Sequence, residues 1–319
     1  MHYLKHLRQW LTVSLAVAIA GFYSPPTERD DSFQQLEPLV KQILHWFPAE
    51  TESVVYLSNN FPKEYDTNEI PIELANVLHQ FAKGKFLEPI KSLNVKFEII
   101  GSCRFRPPIG LGGFFYDGCH AIGFENVLDK ETIDKLLQGF AADASIVETI
   151  KGHRVFIFEE RDRLDAYSYF VCLPQPDVLL VATDKEFLAG MLDRINEPPK
   201  SLSIVVKDEL WGQLDVRGGF WAFRTPVAVG TETEWNNDDG FVAFFDVNKS
   251  SLVVRNLLIR KNFTSDIVRR WELLPPNTDS PTPKLISPLV VEFEIPFTDE
   301  RVHALFILVI WRSGYQANI

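Results

Sequence analysis

The chain has 319 residues, 46% hydrophobic and 24% charged, enough apolar material for one large domain or two modest ones and far from a disordered composition. A formal net charge of −11 without clusters of Lys and Arg argues against a nucleic-acid or anionic-membrane partner. The 25 Phe against 2 Met point to cores filled by rigid aromatic rings.

At the N-terminus, Lys5 and Arg8 precede an apolar run from Trp10 to Ala20, and Ala18-Ile19-Ala20 satisfies the small-x-small cleavage rule. Residues 1–20 therefore read as a secretory signal peptide and 21–35 as a flexible tether. The run is shorter than the roughly 20 residues a spanning helix needs, so no stable transmembrane anchor is expected after cleavage. The expected location is extracytoplasmic, in the periplasm or secreted.

Helical spacing over 33–46, with Leu36, Leu39, Val40, Ile43, Leu44 and Trp46, predicts a first helix that ends before Pro48. A strand over 53–57 follows. The longest helical pattern covers 70–93, interrupted by Gly84 and Pro89. Residues 94–106 alternate, with Val95, Phe97 and Ile99 on one face and Lys96 and Glu98 on the other, which predicts a half-buried strand. The glycine-rich run over 107–113 lacks phosphate-loop spacing and leads into a strand, so it reads as a connection.

After that strand, over 113–124, Asp129-Lys130-Glu131 offers a cap and an acidic first turn to a helix. Three short strands over 154–158, 166–173 and 178–182 come next, separated by a charged turn and by Pro174-Gln175-Pro176-Asp177. Thr183-Asp184-Lys185-Glu186 then starts a second helix, with Phe187, Leu188, Met191, Leu192 and Ile195 at helical spacing. The repeated Asp-Lys-Glu start suggests an internal repeat.

Pro198-Pro199 marks the boundary between two segments, 36–197 and 198–319. The second segment holds predicted strands over 218–223 and 240–246, a hairpin through Asn248-Lys249-Ser250, a helix over 263–274 and strands over 289–295 and 302–311. The acidic loop at 230–239 lacks the residue order of a calcium-binding loop. The fold class expected is α+β, as two related halves, each a mostly antiparallel β-sheet covered by helices.

Catalytic signatures are sparse. Asp117, Cys119 and His120 form the only compact set of nucleophile, base and carboxylate, and neighbouring strand residues point to opposite faces, which sets Cys119 and His120 apart. In an oxidising compartment Cys103 and Cys119 could pair as a disulfide, while Cys172 reads as core. The histidines show no metal-binding spacing, and neither a metal nor a cofactor is expected.

Three stretches carry a resemblance: Phe47-Pro48-Ala49-Glu50 before Val54-Val55-Tyr56, residues 177–184 before a Leu-rich helix, and Gly219-Phe220-Trp221-Ala222-Phe223-Arg224. On them the chain is similar to uncharacterised exported bacterial proteins of the planctomycete kind. That resemblance implies no catalytic residue. The expectation is an exported, noncatalytic binding or interaction protein whose partner is an unknown protein or envelope component. The alternatives are an envelope-acting hydrolase using carboxylates or the Asp117/Cys119/His120 set, and a carrier of an apolar ligand between the halves.

Overall fold

A computed structural model of the chain describes residues 35–58, 93–106, 115–161, 166–197, 214–224, 240–257, 284–287, 290–298 and 302. The elements in chain order are α1 (Pro38–Trp46), β1 (Ser53–Ser58), β2 (Val95–Arg106), β3 (Phe115–Phe124), α2 (Lys130–Asp143), β4 (Ile146–Ile150), β5 (His153–Arg161) and β6 (Ala166–Gln175). They continue as β7 (Val178–Ala182), α3 (Lys185–Arg194), β8 (Phe220–Arg224), β9 (Phe241–Asp246), β10 (Ser251–Leu257), β11 (Lys284–Ser287) and β12 (Val290–Pro296). The helices expected over 70–93 and 263–274, the loops 107–113 and 230–239, the signal segment and, apart from Val302, the last strand lie outside the described residues.

Among the described residues, twelve strands form one sheet in the order β11-β12-β10-β9-β8-β1-β2-β3-β7-β6-β5-β4, with every neighbouring pair antiparallel. This corrects the expectation of a separate sheet in each half. β1, from the first segment, pairs on one side with β2 and on the other with β8, from the second. Tyr56 of β1 stacks on Trp221 of β8 with ring centroids 5.3 Å apart and planes 9° apart, across the pairing of the first and second segments.

Both faces of the sheet are buried over its middle, because alternate residues of the same strands enter different clusters. On the first face Val54, Ile99, Cys119, Leu180 and Trp221 pack beneath α1 and α3. On the second, Ile122, Phe156, Phe158, Val171 and Leu179 pack beneath α2, whose Phe140 meets Phe156 at 5.5 Å and Phe158 edge-on at 6.4 Å. Each fully buried aromatic or aliphatic side chain of this kind contributes about 1.5–3 kcal/mol.

Local chemistry accounts for where the helices start. α1 begins at Pro38, five residues later than the periodicity of Phe33 onward suggests, since proline has no N–H to give a helix interior and suits the first turn. Asp129 and Asp184 cap α2 and α3 in the same way: each Oδ1 accepts the backbone N–H three residues on, at 2.7 Å. These identical starts follow β3 and β7, which are antiparallel neighbours, and the two helices cover opposite faces. Among the described residues no helix is long and apolar enough to cross a membrane.

Two strands were not expected from the sequence, β4 and β11, which come first and last in the strand order of the described residues. β4 turns into β5 through Lys151-Gly152, both at positive φ (51° and 82°), the primed two-residue turn that matches strand twist. The predicted β9–β10 hairpin is present. Asp246 Oδ1 accepts the backbone N–H of Asn248 (3.0 Å) and Lys249 (3.2 Å) to shape its turn.

Candidate functional site

β3 carries the Asp117/Cys119/His120 set, and its pleat takes the set apart. Cys119 lies wholly inside the first-face core, directly opposite Gly101 of β2, with the Phe47 ring lying over that glycine. His120 belongs to the second face. A local polar contact links the two residues: the Cys119 thiol donates to the His120 carbonyl oxygen at 3.6 Å. Asp117 takes the register position opposite Cys103.

Burial pushes the Cys119 thiol far up, opposed by a Val181 backbone hydrogen bond and reinforced by Cys172. Cys172, in the same core, is pushed up to about 12 by burial alone. Neither sulfur is held as a thiolate, the form a nucleophile or a metal ligand requires. Cys103 and Cys119 are diagonal neighbours on β2 and β3, and no disulfide joins them: all three cysteines are thiols.

His120 instead meets a residue the sequence had placed on a solvent face. Its Nδ1 lies 2.5 Å from Glu98 Oε1 on β2, and the two residues are only 6% and 3% exposed. Glu98 Oε2 accepts no hydrogen bond among the described residues. A two-residue offset makes the contact: His120 stands opposite Ile100, and Glu98 opposite Ile122. The signal that could have found this was Ile100, an apolar residue sharing the face assigned to Lys96 and Glu98.

A bulge at Lys96 completes the correction. It shifts the β2–β3 register between Val95 and Phe97, so Val95 packs with the second-face cluster while Phe97 belongs to the first. Further along the second face, Ser53 Oγ and Ser102 Oγ bond to each other at 2.6 Å. Ser102 is four residues from Glu98 on β2, roughly 13 Å along a strand, so hydroxyl pair and carboxyl do not form one site.

A carboxyl beside an imidazole can orient the ring and share a proton with it, which is half of a general-base arrangement. The other half, a nucleophile within reach, is not supplied by Cys119, which lies on the opposite face. Among the described residues no three His, Cys, Asp or Glu side chains come together as metal ligands. His153 stands on β5 and His45 in α1.

No family model and no curated protein matches the chain. Among solved structures, crystal form IV of TP0453 is similar at 10% identity with a TM-score of 0.41, covering 82% of this chain and 95% of that one. Crystal form I of TP0453 is similar at 9% identity and a TM-score of 0.40, covering 86% and 98%. Likenesses of that size transfer neither a fold nor a role.

Proposed function

We propose that this is an exported protein that works by binding or interaction and not by catalysis, its partner a protein or a component of the cell envelope. The signal-like segment over 1–20 motivates export, and with it the kinship to uncharacterised exported proteins of the planctomycete kind. The expected relation between segments 36–197 and 198–319 belongs to the same reading. The observation that carries the noncatalytic part is the separation of Cys119 and His120 onto opposite buried faces, which keeps the imidazole from the thiol, while burial pushes that thiol up.

Thiol labelling of the folded chain tests it. With iodoacetamide at neutral pH, half-buried Cys103 is expected to react first, and Cys119 and Cys172 only once denaturant is added, as read by peptide mass spectrometry. Rapid native labelling of Cys119, abolished in His120→Gln, would sink the reading and restore the thiol hydrolase. Export is checked on the same sample: the mature chain should begin at Gly21.

A further inference from the structure

The turn between β9 and β10 carries a sequence that a binding role leaves unused. Asn248-Lys249-Ser250 is an Asn-x-Ser triplet without proline in the middle, the form in which an exported chain accepts an N-linked glycan. A triplet of this kind is common in any chain, so its setting decides what it can do.

The turn runs over residues 247–250, between Asp246 and Ser251, which stand opposite each other across the hairpin. Its shape is held by the main chain and by Asp246. Asp246 Oδ1 accepts the backbone N–H groups of Asn248 and Lys249, and the Ser250 carbonyl oxygen accepts the Phe297 N–H at 2.9 Å. Ser250 closes the turn at a φ of 49°, and the Lys249 ammonium is tied to Glu294 at 2.9 Å. The two side chains of the triplet that matter are left outside this scaffold. Among the described residues neither the Asn248 carboxamide nor the Ser250 hydroxyl makes a hydrogen bond, and Asn248 is exposed. A carboxamide nitrogen shares its lone pair with its carbonyl and attacks only when an enzyme grips the amide and loosens that sharing. An amide already bonded within the fold resists such a grip; this one is free to be taken.

We propose that Asn248 is the acceptor of an N-linked glycan. The donor is an oligosaccharide joined through pyrophosphate to an envelope lipid, and an envelope transferase makes the exchange. Asn248 Nδ2 forms a bond to the anomeric carbon of the sugar, and the bond from that carbon to the pyrophosphate oxygen breaks. The lipid pyrophosphate leaves with the electron pair, the amide gives up one proton, and nothing is oxidised or reduced. Acceptance in the cell rests on the export proposed above, since the donor is met on the far side of the membrane. A bulky, hydrated glycan at this position would also cover the neighbouring Val247, an apolar side chain 46% exposed.

Glycan transfer to the folded full-length chain tests the proposal. The chain carries Asn262→Gln, which removes the other such triplet, Asn262-Phe263-Thr264, and is incubated with a purified oligosaccharyltransferase and a lipid-pyrophosphate oligosaccharide of known mass. Its intact mass is expected to rise by one glycan. Asn248→Gln should lose that rise with the melting temperature unchanged. Ser250→Gly should lose it too, because glycine keeps the positive φ while the hydroxyl goes. No rise, a rise that survives either substitution, or a rise seen only after the chain is unfolded would each overturn the proposal. Enzyme and donor are supplied, so the result does not depend on export: a chain that accepts the glycan yet retains residues 1–20 in the cell would sink the export reading alone.

Discussion

Glu98 and His120 stand two residues out of direct register on adjacent strands, and their side chains close that diagonal at 2.5 Å within a buried face. The apolar alternation of β2 and β3 forbids a slip by one residue, which would turn each strand inside out, but it tolerates a slip by two. The intervening residues 107–114 are too many to set register as a tight turn does. A buried polar pair supplies what is missing, since any even slip leaves a carboxyl and an imidazole each facing apolar neighbours. Either Glu98→Leu or His120→Leu alone should therefore destabilise by about 3–5 kcal/mol, because a buried polar partner is stranded. The double variant should regain most of that loss. Urea unfolding of the four proteins measures the coupling, and simple additivity of the two single changes would show that the pair does not act as a unit.

Close packing against glycine fixes the helices and a loop onto the sheet, and the structure ranks three positions. A Cβ at Gly101 would overlap the Phe47 ring, and one at Gly218 would overlap the backbone carbonyl of Phe245. One at Gly190, within α3, would meet only the Pro48 ring edge, at 3.2 Å from Cγ. Gly218→Ala should be the most harmful, because backbone cannot swing aside as a ring can. Gly101→Ala should cost about 1–3 kcal/mol as ordinary overpacking. Gly190→Ala should be close to neutral, the tight contact offset by a helix-propensity gain of about 1 kcal/mol. Melting temperatures of the three variants check the order, and a Gly190→Ala protein less stable than Gly218→Ala would contradict it.

Elements whose cause is local were legible in the sequence. β7 matches its apolar run residue for residue, α3 begins where Asp184 caps it, and the β9–β10 hairpin turns at Asn248-Lys249. β4 was not, because an edge strand with most residues exposed has no alternation to read. The single sheet was hidden for another reason: β1 and β8 meet across more than half of the chain, and pairing at that separation leaves no periodic mark. Glu98 was misplaced because one alternating strand cannot reveal whether its polar face meets water or a second layer. The same pleat that a sequence can anticipate did separate Cys119 from His120, as two neighbouring residues of any regular strand must be.

The buried thiols make a prediction about alkaline stability. Cys172 titrates near 9.0 when unburied and is raised to about 12 in the fold by burial, and Cys119 is raised further by the same cause. For an acid whose folded value lies above its unfolded value, the native state holds the proton that the unfolded state gives up. Stability is then unaffected below pH 9 and falls as pH rises from about 9 towards 12. Replacing both thiols by alanine removes this slope even though it lowers stability at neutral pH through the lost packing. Urea midpoints of the parent and the Cys119→Ala/Cys172→Ala variant between pH 7 and pH 10.5, roughly spanning the unfolded titration, should converge as pH rises. Parallel curves would mean that the two sulfurs are already reached by solvent in the native fold.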